Sequence, residues 1–316
     1  MSSSAVNSQT DNKNRSSTEK SLDSSFIWLT RILSFLVAAV LLWIAIRVGL
    51  QAIPAIQEFG WSFMTGSSWN PPEQQYAILP MIYGTIVSSL IALLIAFPIG
   101  VACAIVLSEN FLPQSVRRIL VFLVELLAAI PSVVYGLWGI YVLIPFLKPI
   151  GSWLHQNLGW FPLFSTQYVG PGMLPAGIIL SIMILPIITA ISRDSLASLP
   201  PELRSGSYAV GSTRWQTIFS ILIPAAFSGI VGGTMLALGR ALGETMAATL
   251  VIGNSNALNF SVLAPANTIA SLMANQFSEA SGLQRDSLMY AGLILFAITL
   301  VVNIIAELII QKVKKY

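Results

Sequence analysis

Between Ala77 and Ser108 the chain runs thirty-two residues without one Asp, Glu, Lys or Arg. As a helix this stretch is about 48 Å long, whereas the hydrocarbon core of a bilayer is about 30 Å thick. A surface helix of a soluble protein needs a polar face toward water, and this run has none. Five further segments pass the same length test. The spans are expected at about 27–50, 78–107, 119–147, 173–192, 220–252 and 288–311. Only 9% of the residues are charged and 55% are hydrophobic, against roughly a quarter charged in soluble domains. That balance excludes a soluble enzyme, a disordered chain and a collagen-like fibre. The expected fold class is an all-α polytopic membrane protein with six transmembrane helices, bent at Pro98, Pro131, Pro186 and Pro224.

Residues 1–25 are polar and Ser-rich and have no hydrophobic period, which predicts a flexible cytoplasmic tail ahead of a transmembrane domain over 26–316. The first apolar run begins near Phe26, too far in for a signal peptide, and reads as a retained helix. With the N-terminus inside, the inner segments hold eleven Lys and Arg residues and the outer ones only Lys148 and Arg285. The positive-inside rule then places both termini in the cytoplasm. The net charge of +3 is spread over short polar segments with no basic block, so the partner surface is membrane lipid and no nucleic acid is expected. Cys103 and His155 each stand alone, which leaves no intrachain disulfide and no metal site. The outer segments carry Trp61, Phe63 and Trp69, then Trp153, Trp160 and Phe161. Trp favours the headgroup layer, so these are interfacial anchors or a docking surface for an external partner. Residues 266–280 suit a short helix along the outer face.

No GxxxxGK[ST] loop and no GxGxxG turn occurs, so the chain has no ATP site of its own, and no catalytic group is evident. Its energy must come from a partner or an ion gradient. Polar residues gather against expectation in two places. One is the loop 193–224, where Pro200 and Pro201 suit a helix start and Gly211 permits a tight turn or close approach by another chain. The residues alone allow an ordinary helix–turn–helix loop as well. The other is Gly239-Arg-Ala-Leu-Gly-Glu-Thr245. Arg240 and Glu244 are four apart, on one face of a helix, about 6 Å along its axis. A charge at mid-membrane costs roughly 2.5–3.5 kcal/mol, so the two are either a structural ion pair or a charged point on a solute path. Arg240 can present a fork of donors to an oxyanion, and Glu244 can neutralise it between transport events. Glu125, Arg31 and Arg47 lie near span ends and reach the interface by snorkelling.

From Ser205 the loop reads Ser-Gly-Ser, three residues, Gly211, nine residues, then Ile221, Leu222, Ile223 and Pro224. This resembles the ATPase-docking loop of ABC importer permeases, E-A-A-x3-G-x9-I-x-L-P, with Ser205 standing in place of the Glu. Over most of residues 30–312 the chain is similar to the PstC-type permease of bacterial phosphate ABC importers. The likeness includes segments 59–71, 78–109, 125–139 and 263–280 and, most specifically, GRALGETMA over 239–247. The resemblance implies a type I importer permease in the bacterial plasma membrane, paired with a PstA-like second subunit. It also implies a cytoplasmic ATPase dimer that binds the ATP and Mg, an external phosphate-binding protein, and phosphate as cargo. Arg240, Glu244 and Thr245 would line or gate the path; Ser205, Gly206, Ser207, Gly211 and Arg214 would form the docking loop. The competing expectations are a permease for sulfate or molybdate, a membrane enzyme, and a scaffold for a phosphate-sensing kinase.

Overall fold

The structure, a computed structural model, describes residues 17–313. Among the described residues six helices are long and apolar enough to cross a bilayer. The first, α1 (Ser17–Phe59), contributes its length up to Gln51 to one compact unit, and the chain from Ala52 onward forms a second. Of the tail expected over 1–25, residues 1–16 lie outside the described residues. Residues 17–25 correct that reading: they are the opening turns of α1. Their polar side chains do not oppose helix formation once the apolar run that follows propagates it.

In the second unit a two-stranded hairpin, β1 (Trp69–Asn70) and β2 (Gln75–Tyr76), precedes α2 (Leu79–Ser108), which matches the charge-free run. The expected third span, 119–147, is not one helix. α3 (Gln114–Ala129) stops at Ile130, and α4 (Ser132–Leu158) starts afresh after Pro131. Proline pushes the residue before it out of the helical region, and Ile130 is extended at φ −67°, ψ 128°. α5 (Met173–Ala197) runs through Pro186, as α2 runs through Pro98, without interruption. A short α6 (Pro201–Ala209) follows, then α7 (Arg214–Leu242), α8 (Met246–Val251), α9 (Ile269–Gln276) and α10 (Gly282–Val313). The expected fifth span, 220–252, is thus corrected at both ends: it begins at Arg214 and breaks after Leu242. The loop expected over 193–224 shrinks to 198–213.

Both α4 and α7 widen to π-helical hydrogen bonding, at Gly139–Leu143 and Ile218–Leu222. A proline lies two residues beyond each, Pro145 and Pro224. The ring of a helical proline collides with the carbonyl four residues back, here Tyr141 and Ser220, and widening the turn makes room.

The helices pack in tiers. At the end bearing Arg193, Arg204 and Arg214, Ala104 and Ile105 of α2 meet Leu196 of α5 and Ile218, Leu222 and Ile230 of α7. At mid-height Ala92 and Ala96 meet Leu180, Ile184 and Ile188, with Ala237 and Ala241 of α7. At the aromatic end one cluster joins Phe63, Trp69, Tyr76 and Leu288 and another joins Leu143, Tyr168, Ile179 and Val251. Burial pushes the Tyr168 hydroxyl up to about 12, so it stays protonated and donates to the Ile144 carbonyl at 3.3 Å. Small residues allow the close approach that lipid-embedded helices depend on. Gly100 and Gly177 bring α2 and α5 together, and Gly229 and Gly233 bring α7 against Ser195 and Ile191 of α5.

A side chain at Gly177 would collide with Ile91, whereas one at Gly232 meets nothing within 4 Å. Gly177→Val should therefore destabilise the solubilised chain by about 1–3 kcal/mol, an overpacking cost. Gly232→Val should leave its thermal melting point nearly unchanged. Equal melting points would show that the α2–α5 contact is looser than described.

Candidate functional site

α7 ends where its sequence turns to Gly243-Glu244-Thr245, and the backbone groups freed there find local partners. The Gly243 amide donates to the Gly239 carbonyl and the Glu244 amide to the Ala241 carbonyl, both at 3.3 Å. The Thr245 hydroxyl donates to the Gly243 carbonyl at 3.2 Å. Glu244 turns its Oε1 onto the Ala247 amide at 3.2 Å, in the first turn of α8. A carboxylate at a helix N-terminus satisfies an orphan donor and meets the positive end of the helix dipole.

That geometry corrects the expected pairing. Arg240 lies on α7 and Glu244 beyond its end, so the two do not share a continuous helix face and form no ion pair. Among the described residues Arg240 makes no hydrogen bond or ion pair, and it is exposed. On α4 the Tyr135 hydroxyl donates to the Leu127 carbonyl at 2.8 Å, bridging the break between α3 and α4. Ala237 and Ala241, the neighbours of Arg240, pack on the central turns of α2 and α5, so Arg240 stands at mid-height of the core. Along the same open face of α7 stand Leu236, exposed, and Gly232 and Gly239, beside which a side chain would meet nothing. A cavity of about 500 Å3 opens by the break, lined by Gly243, Thr245, Ala270, Met273, Phe277 and Leu295. The two helix breaks also support each other. Gly136 and Gly139 of α4 seat Leu250 and Val251 of α8 so closely that a side chain on either glycine would collide.

At the other end, α6 opens as the sequence predicts, with Pro200 and Pro201 at its start. It closes on Gly211 at φ +83°, where the Gly211 amide bonds the Tyr208 carbonyl and the Ser212 amide bonds the Ser207 carbonyl, the two bonds of a Schellman cap. Thr213 and Gln216 then form a reciprocal capping box that starts α7. Ser207 is buried, its hydroxyl 2.9 Å from that of Thr217 on α7. Ser205 is exposed and bonds back to the Pro201 and Glu202 carbonyls, and Gly206 is exposed beside it. The Arg214 guanidinium lies 4.0 Å over the Phe111 ring. Tyr208, Trp215 and Val210, the last 82% exposed, offer an uncovered apolar surface around Gly211.

The loop residues expected to act together are therefore together, whereas the Arg240 and Glu244 charges are not. Two participants escaped the sequence reading. Tyr135 gave no signal beyond its place four residues after Pro131. Glu109 did: it is the first charge after the thirty-two-residue run, and it pairs with Arg204 at 2.8 Å. Among the described residues no group of three or more His, Cys, Asp or Glu side chains is placed to hold a metal.

Residues 96–315 match the family described as binding-protein-dependent transport system inner membrane component. The phosphate transport system permease protein PstC of Mesorhizobium japonicum is 44% identical over 297 residues, 92% of this chain and 90% of the relative. Its namesake from Haemophilus influenzae is 41% identical, across 93% and 95% of the two chains. The probable PstC of Methanocaldococcus jannaschii is 38% identical across 81% and 83%. Among solved structures, a chain of a bacterial alginate ABC transporter in complex with its alginate pentasaccharide-bound periplasmic protein aligns with a TM-score of 0.61. It covers 91% of this chain and 94% of its own at 17% identity. An inward-facing MetNI methionine ABC transporter aligns at 0.53, also at 17% identity, covering 75% and 94%. At that identity the likeness concerns the fold.

Glu244→Ala should remove the cap on α8 at a cost of about 1 kcal/mol, or about fivefold faster exchange at the Ala247 amide. Glu244→Gln keeps the oxygen and should leave exchange there within about twofold of the wild type. Equal acceleration in both variants would show that the carboxylate charge, and not the cap, holds the break.

Proposed function

Because the chain belongs to the family of binding-protein-dependent transport system inner membrane components, we propose that it is the permease subunit of an ATP-driven importer and that its cargo is inorganic phosphate. The chain is an all-α, multi-pass membrane protein with the fold of ABC importer permeases, and it is a transport component. The phosphate assignment is supported by relatives at 41–44% identity that carry that name along nearly their whole length.

The observation that carries the mechanism is an exposed, unpaired Arg240 at mid-height, beside a helix break. Facing lipid there, a guanidinium would cost roughly 2.5–3.5 kcal/mol. Its open face, with Gly232, Gly239 and Gly243, therefore turns toward a second, PstA-like subunit across a water-filled cavity. In that cavity the planar fork of donors on Arg240 binds the oxyanion. With Glu244 held on α8, no carboxylate among the described residues pairs with the guanidinium. Release then depends on the cavity changing the side to which it opens.

An ATPase dimer, which binds the ATP and Mg, docks on the apolar surface around Gly211 at the cytoplasmic side, where both termini lie. The membrane is the bacterial plasma membrane. Closure of the ATPases on ATP moves α6, the Ser207–Thr217 contact carries that motion into α7, and the cavity opens outward to an external phosphate-binding protein. Hydrolysis returns it inward. No bond is made or broken on this chain.

Liposomes holding the chain with its permease partner and ATPase, with binding protein outside, test the assignment. Labelled phosphate should enter with ATP, depend on the binding protein and resist excess sulfate or molybdate. Entry of a competitor in its place would reassign the cargo. Arg240→Ala should lower uptake at least tenfold with the complex assembled, as expected for loss of a charge-assisted contact of about 1.5–3 kcal/mol. Unchanged uptake would take Arg240 off the path. Val210→Asp should lower the yield of co-purified ATPase, and a full yield would move the docking surface elsewhere.

A further inference from the structure

We propose that Glu109 and Arg204 form the joint through which force applied to α6 reaches α2 and α5, so that both are positioning residues for transport. The proposal rests on the reading of α6 as the segment on which the ATPase docks. Arg204 projects from α6. Its Nε donates to Glu109 Oε1 and Oε2 at 3.2 and 3.3 Å, and its Nη2 donates to Oε1 at 2.8 Å. Nη2 also donates to the Leu196 carbonyl at 2.9 Å, and Nη1 to the Leu199 carbonyl at 3.3 Å. Glu109 caps the end of α2, Leu196 belongs to the last turn of α5, and Leu199 follows it. One guanidinium plane is thus bonded to the ends of two spans at once.

The carbonyls at a helix C-terminus lack intrahelical partners and carry the negative end of the dipole, so a cation there is held by charge as well as by hydrogen bonds. The fork of Arg is rigid, and with every one of its nitrogens engaged α6 cannot slide without carrying α2 and α5. Glu109 is only 7% exposed and the Arg204 side chain 22%, so water is largely kept from the carboxylate and partly from the guanidinium. A buried ion pair is poorly explained by stability, because apolar residues of the same volume often serve as well or better. What it supplies is fixed geometry.

The second fastening of α6 is of another kind. Three residues beyond Arg204, the single Ser207–Thr217 hydroxyl contact joins α6 to α7. Arg204 therefore locks α6 to the α2–α5 pair, and Ser207 links it to the span that carries Arg240. Motion of α6 is shared between the two, and with the lock gone it reaches α7 alone and leaves the α2–α5 pair behind, uncoupling hydrolysis from import.

The test compares wild type with Glu109→Gln, Glu109→Ala, Arg204→Ala and the double variant Glu109→Ala/Arg204→Ala in the full reconstituted complex. Two quantities are read: ATPase recovered per complex, and ATP hydrolysed per phosphate imported. ATPase should remain bound in every variant, while ATP spent per phosphate rises at least tenfold in each single variant. The double variant should be no worse than Arg204→Ala alone, since residues acting as one unit are not additive. Glu109→Gln preserves volume and one acceptor, and reads the joint even where the alanine variants fold poorly. An unchanged ratio in Glu109→Gln and Arg204→Ala, or additive losses in the double variant, would overturn the joint. Loss of the ATPase from the variants alone would make the pair part of the docking surface and overturn it as well. A wild-type complex that never binds the ATPase would instead remove the docking reading, and the joint with it.

Discussion

In hydrocarbon a backbone amide without a partner costs several kcal/mol, so a span that stops partway must supply its own hydrogen bonds. The end of α7 meets that demand within five residues: Gly243 and Glu244 bond back to Gly239 and Ala241, Thr245 bonds to Gly243, and Glu244 reaches forward to Ala247. The electrostatics of the site follow from it. A carboxylate committed to the start of α8 is unavailable to Arg240, and an unpaired guanidinium is left on an open helix face. The glycines of α4 complete the arrangement by letting α8 lie against the second break.

The two ends of α7 solve different problems. At mid-height α7 gives way to a capped break, where the freed polar groups are satisfied locally. At the basic end it starts from a capping box, tied through Thr217 to a helix that is itself held by Arg204. Between them, Ala237, Ala241 and the Gly229/Gly233 pair keep α7 close to α5 with little side-chain bulk. Small residues favour close backbone approach while leaving few interlocking side chains to resist sliding. A span built this way can move relative to its neighbours without unpacking a large core.

The helix content and the charge-free run over 77–108 were legible because hydropathy and length decide them. So were the start of α6 at Pro201, the turn at Gly211 and the short helix within 266–280, each written in local chemistry. The breaks were harder to see. Ile130-Pro131 carried a helix-stop signal, but the apolar run continued across it. Gly243 is one of several glycines in its span, and only the competition for Glu244, won by the Ala247 amide, shows that the helix ends there. The contact of Glu109 with Arg204 joins positions 95 residues apart, and no local pattern reports such a pairing.

The central claim is that position 240 faces water inside the assembled transporter. Cys103 is the chain's only cysteine, so Arg240→Cys in a Cys103→Ser background places a single reactive thiol on it. The measurement is labelling of that thiol by a charged, membrane-impermeant reagent in the assembled complex, with and without ATP trapped. The account predicts labelling in at least one state, at a rate that differs between the two. A thiol that stays unlabelled in both states would place residue 240 against lipid or a packed helix and contradict the account.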